Sequence, residues 1–158
     1  MRLSLLILAV VTGALAAEAA DNLSARILTP ELAQQLLGGT IEPATRNSSS
    51  DIKAGDTVVS QCSYSIKSDT VTPTSVSLLL RRAGSAEETK AIFLASKKTY
   101  NGQDVGGLGD VAYRTAAPAQ LNVLKGRHWL IISAGAFPKA DPLLQEKAAR
   151  AILKSIQD

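Results

Sequence analysis

"VGGLGDVAYRT", residues 105–115, decides between two kinds of fold. Gly107, Gly109 and Ala112 fit the spacing G-x-G-x-x-A. In dinucleotide-binding proteins that spacing lies between a strand and a helix whose N-terminus faces the pyrophosphate. Here the flanks are reversed. A helical pattern precedes the glycines and the strand-like Val111-Ala112-Tyr113 follows them. No helix cap stands after Gly109, and no lysine with Ser/Thr follows in the Walker arrangement. The stretch is read as a backbone turn that opens a strand. Its glycines tolerate positive φ, and Asp110 is placed to accept from nearby amides.

Working outward, three strand candidates follow: "VAYRTA", "AQLNVLK" and "RHWLIISAG". Val111 and Tyr113, Leu121 and Val123, and Trp129 and Ile131 alternate along them. Lys125-Gly126-Arg127 reads as the tight turn of a hairpin between the last two. Upstream, "TVVSQCSYSI" places Val58, Cys62, Tyr64 and Ile66 on one face, and "TSVSLLLRR" does the same with Val76, Leu78 and Leu80. The turn formers "KSDT" between them predict an antiparallel hairpin with Cys62 facing inward.

Three helices complete the pattern. "ILTPELAQQLLGG" carries Thr29 as N-cap, Pro30 at the first turn and Gly38-Gly39 at the end. Ser85 and Glu88 form an S-x-x-E capping box for a second helix, with Ile92, Phe93 and Ala95 as its expected core contacts. Asp141 and Pro142 open a third, with Leu144, Ala148, Ile152 and Ser155 along one stripe. Residues 45–56 are polar and rich in turn formers, which predicts a surface loop. The expected fold is α+β: a single-domain sandwich, residues 20–158, with an antiparallel sheet of about five to six strands flanked by three helices.

The first 19 residues read as a secretory signal peptide: Arg2, an apolar run from Leu3 to Leu15, then Ala-x-Ala steps at Ala14–Ala16 and Ala17–Ala19. The run is too short for the roughly 20 apolar residues that span a bilayer. No cysteine lies near the cleavage site, so there is no lipobox. The expectation is a periplasmic or secreted protein with no transmembrane segment in its mature chain. The single Cys62 allows no internal disulfide. Asn22-Leu23-Ser24 and Asn47-Ser48-Ser49 fit the glycosylation pattern, which matters only in a eukaryotic secretory host.

Charge is uneven: residues 20–80 carry net −2 and residues 81–154 net +6. The basic half suits an anionic envelope surface, lipid head group or acidic partner. No block of five like charges and no aromatic–basic interleaving occurs, so a nucleic-acid partner is not expected.

The series "LTPELAQQLLG", "CSYS", "VGGLGDVAY" and "LNVLKGRHWLII", followed by a C-terminal amphipathic helix, resembles a group of small exported bacterial proteins, many of them lipoproteins, with a PsbP-like α/β/α sandwich. The resemblance covers nearly the whole mature chain. It implies the fold and allows an accessory role in an envelope complex; it carries no catalytic residue over. Lacking a lipid-acceptor cysteine, the chain departs from the lipoprotein members.

Little chemistry is available. His128 is the only histidine, and no serine sits in a G-x-S-x-G elbow. One His and one Cys, far apart in sequence, do not make a metal site, and no cofactor is expected. A thiol- or histidine-dependent hydrolase using Cys62 or His128 is the alternative function. The favoured one is an exported soluble binding or accessory domain without catalytic activity, its partner a protein or small ligand. Its candidate binding residues are Tyr113, Arg114, Arg127, His128 and Trp129, because Tyr, Trp and Arg dominate binding surfaces. Alternation limits this set: Tyr113 and Arg114 face opposite ways, as do His128 and Trp129.

Overall fold

Period-two alternation builds one sheet. The computed structural model describes residues 22–42, 56–67 and 73–156. The expected leader over 1–19, the sequon at Asn47, the loop from 45 to 55 and the turn at 68–70 lie outside them. The strands are β1 (Val58–Ser65), β2 (Thr74–Arg82), β3 (Gln103–Asp104), β4 (Val111–Ala116), β5 (Ala119–Lys125), β6 (His128–Ala136) and β7 (Lys139–Ala140). They pair antiparallel in the order β1-β2-β6-β5-β4-β3, with β7 against β6. The helices are α1 (Leu23–Ile27), α2 (Pro30–Leu37), α3 (Ala86–Thr99) and α4 (Pro142–Ser155).

The fold is α+β, as the sequence predicts, with four helices and seven strands among the described residues. The extra elements are short. The five residues of α1 and the two of β3 and of β7 carry too few positions for a period to show.

The helices divide between two faces. Cys62, Val76, Leu78, Leu80, Leu121, Val123, Leu130 and Ile132 form the main core with α1, α2 and α4. The opposite face carries a smaller core in which Phe93 of α3 meets Tyr113, Leu124 and Trp129. Four consecutive residues of β5, Leu121 to Leu124, are buried because both faces are covered there. Burying apolar side chains on the first face is the main stabilising term, at roughly 25 cal/mol per Å² removed from water.

The expected caps form. Thr29, Ser85 and Asp141 accept from the first-turn amides Leu32, Glu88 and Leu143/Leu144, and Gly38 closes α2 at φ 74°. Glu88 reaches back to the amide of Gly84, one residue before the box partner expected. In α3 the buried residues are Thr89 and Phe93, while Ala95 is exposed. The helix is turned so that Thr89, Ile92, Phe93 and Ser96 face the sheet. Two of these are polar but bonded: Thr89 accepts from the Ala83 amide, and Ser96 from the Tyr113 hydroxyl.

The glycine stretch joins β3 to β4 as a strand–turn–strand connection. Gly107 and Gly109 take φ of 72° and 55°. A Cβ on Gly109 would lie 2.4 Å from the Leu124 carbonyl oxygen, so the backbone approaches closely as well. Asp110 pins the turn: its amide donates to Leu124 O at 2.8 Å, and its Oδ2 accepts from Gly126 N at 2.7 Å. A strand and not a helix follows these glycines, so they do not cradle a pyrophosphate in the way of a dinucleotide loop.

Strand β1 is the sheet's first strand, and its edge is covered. Asn22 Nδ2 donates to Gln61 O at 2.8 Å, Ser24 Oγ to Ser60 O at 2.7 Å, and Ser60 Oγ to Asn22 Oδ1 at 2.7 Å. All three side chains are buried. This network fixes α1 to a strand whose free carbonyls would otherwise invite edge pairing. It also engages both ends of the Asn22 amide, so the first sequon is closed in the folded chain.

Candidate functional site

The sequence-derived binding residues separate onto different parts of the sheet. Tyr113 and Trp129 share the α3 face, fully and nearly fully buried. Their rings meet Phe93 edge-on, at centroid distances of 4.8 and 5.8 Å. Arg114 lies on the opposite face, where its Nη2 donates to Glu146 Oε1 of α4 at 2.9 Å. Arg127, in the β5–β6 turn, donates to the carbonyls of Ala83 and Gly84 at 3.1 and 2.6 Å. His128 opens β6 with the parity of Leu130 and Ile132, away from Trp129.

Cys62 belongs to the main core. Its Sγ donates to Leu28 O at 3.9 Å, and burial pushes the thiol up to about 12. It pairs with Leu78, which pairs with Ile132, four residues along β6 from His128. At about 3.3 Å per residue, that offset alone is roughly 13 Å. Cys62 and His128 therefore do not form a nucleophile–base pair.

A cavity of about 270 Å³ opens where α3 ends over β4, β5 and β6. Tyr113, Trp129 and Ile131 give it apolar walls, Tyr100 stands at α3's end, and Arg81, Gln120 and Asn122 add polar groups. Register brings these residues together. Asn122 pairs with both Tyr113 and Ile131, and Arg81 with Trp129. The helix ends abruptly: Asn101 takes φ 49°, and Gly102 lies so close to Tyr113 that a Cβ there would meet the ring at 2.3 Å.

Asn122 is the central polar group. It is 3% exposed. Trp129 Nε1 donates to its Oδ1 at 3.0 Å. An indole N–H only donates, so this bond fixes which end of the amide faces Trp129. No hydrogen bond joins the NH₂ to another described residue, and it is not among the fully enclosed atoms lacking a partner. It opens onto the cavity. Tyr113 is anchored by donating to Ser96 Oγ at 3.0 Å; burial raises its hydroxyl above the usual range, so it stays protonated at neutral pH.

Arg81, Gln120 and Asn122 escaped the sequence reading. Arg81 ends the strand "TSVSLLLRR", and Asn122 sits between Leu121 and Val123. One signal pointed to Asn122: the Gly126 hairpin sets Lys125 opposite His128, which places Asn122 beside Ile131 and diagonal to Trp129.

The described residues contain no group of three or more His, Cys, Asp or Glu side chains placed to hold a metal ion. No described helix is long and apolar enough to cross a membrane. Fold and site together define a single-domain α+β sandwich with a small polar-floored cavity on one sheet face. Comparison with family models, with curated proteins and with solved structures returns no match.

Proposed function

We propose that this protein is a non-catalytic binding domain that takes a small ligand in the cavity at the end of α3. The observation that carries this reading is Asn122: a buried amide, oriented by Trp129, with its NH₂ open to the cavity. Trp129 holds the oxygen end of that amide, so the NH₂ is the end left to donate to a ligand acceptor. At about 270 Å³ the cavity falls just below the usual range of about 300–1,000 Å³, which limits it to a small molecule. Residues 1–19 support an exported setting, in which the domain works as a soluble receptor or an accessory subunit.

The test is a fragment screen by NMR on the full chain. Trp129 is the only tryptophan, so one indole N–H resonance reports on the site directly. The expected result is a set of fragments that shift Trp129 Nε1–H, Asn122 Nδ2 and Ser96 together. Fragments that shift only residues on the α4 face, or none that shift Trp129, would overturn the reading.

A further inference from the structure

We propose that the ligand is a small carboxylate carried on a flat apolar body, bound with its carboxylate against Arg81. This rests on the cavity being a ligand site, as above.

The first support is charge. Arg81 is the only lining residue charged at neutral pH; no aspartate or glutamate lines the cavity. The second is the state of that arginine. Its guanidinium lies over Trp129, 5.6 Å from the ring centroid, and its Nε is enclosed without a hydrogen-bond partner. Arg82 and Arg114 share that enclosed Nε, so the carboxylate pairing is what sets Arg81 apart: Arg114 Nη2 is paired with Glu146, and Arg127 donates to the Ala83 and Gly84 carbonyls. No carboxylate among the described residues pairs with Arg81. A guanidinium that stacks on an aromatic ring and lines the cavity is a ready partner for a carboxylate.

The third support is the kind of polar group beside it. The free end of Asn122 only donates, because its oxygen is held by Trp129. A second donor near a cation selects for a ligand rich in acceptors. An ammonium compound would meet the Arg81 charge with no carboxylate to offset it. The walls set the rest of the molecule: the exposed rim of the Trp129 ring and Ile131 present apolar surface.

The probes are benzoate, benzyl alcohol and benzylammonium, titrated into the full chain with Trp129 emission and the Asn122 side-chain resonance as readouts. Benzoate is expected to bind about tenfold more tightly than benzyl alcohol, the gain of one charge-assisted hydrogen bond. Benzylammonium is expected to bind more weakly than either. Arg81→Met should erase the benzoate preference, bringing benzoate and benzyl alcohol to the same affinity. Asn122→Asp keeps the acceptor for Trp129 and should reverse the order in favour of benzylammonium. Equal affinity for benzoate and benzyl alcohol, or a preference that survives Arg81→Met, overturns the carboxylate and leaves the small-ligand reading standing. If no probe moves Trp129 or Asn122, and the fragment screen moves neither, the cavity reading itself falls.

Discussion

Helices α3 and α4 are both fourteen residues long and lie on opposite faces of one sheet, yet they are held in different ways. Helix α4 buries Gln145, Ala148, Ala149 and Ile152. It is stitched down by Gln145 Nε2 donating to Ala119 O, by Arg114–Glu146 and by Arg150 donating to Gly107 O. Helix α3 buries only Thr89 and Phe93, and its exposed positions include Leu94 and, just past its end, Tyr100. The face under α4 is a continuous apolar core, and the face under α3 is a small aromatic cluster beside a cavity. Stability is concentrated on one side of the sheet. The other side is left free to keep an arginine that no described carboxylate pairs with, and an amide with one end bonded, which a fully packed core would not tolerate.

The largest effects should separate the two helices. Ile152→Ala removes a fully buried side chain under α4 and should cost about 2–5 kcal/mol, lowering the urea midpoint equally by far-UV circular dichroism and by Trp129 emission. Phe93→Ala should also cost a few kcal/mol, roughly 3–5 if the site cannot collapse. Its signature should differ: Trp129 emission shifts to the red before the sheet unfolds, because α3 loses its one large anchor. Coincident transitions in Phe93→Ala would break the contrast.

A smaller effect is expected at the junction of helix and site. Gly102→Ala forces a methyl into the Tyr113 ring and should destabilise by about 1–3 kcal/mol. It should also weaken fragment binding, since Tyr113 is a wall of the cavity. Unchanged fragment affinity would show that α3's termination does not shape the site. Smaller again is Ser85→Ala, which removes the α3 cap at a cost of about 1 kcal/mol. That change should raise amide exchange in the first turn of α3 and leave α4 untouched.

The most local contrast is in pH. Burial raises the Cys62 thiol from 9.0 to about 12, and burial likewise raises the Tyr64 hydroxyl from 10.0 to about 12. Both are neutral in the folded chain and ionise sooner when it unfolds. The stability they contribute is therefore complete below about pH 9 and lost as pH rises toward 12. Cys62→Ala should flatten the fall of the urea midpoint between pH 9 and 12. An unchanged slope would show that the thiol is not held neutral by the α4-side core.

Much of this architecture was legible in residue order. Thr29, Ser85 and Asp141 announced three helices through their caps, and alternation announced the long strands. Gly107 and Gly109 were legible as a turn because a strand pattern, not a helix cap, followed them. The rotation of α3 was not legible. Thr89 and Ser96 point inward as polar residues that meet partners on the sheet, so hydrophobic periodicity favoured Ala95 instead. The site was half legible. Tyr113 and Trp129 stood out as aromatics on a common parity, whereas Arg114, Arg127 and His128 went elsewhere. Arg81 and Asn122 matter through cross-strand register, and register is written in pairings between strands rather than within any one of them.

The most direct test of the account is native-state hydrogen exchange on the full chain, comparing α3 amides with α4 amides. The account predicts that interior α3 amides exchange through an opening of lower free energy than global unfolding, while those of α4 exchange only with it. Exchange of both helices at the same global free energy would contradict the division of the molecule into a stabilising face and a binding face.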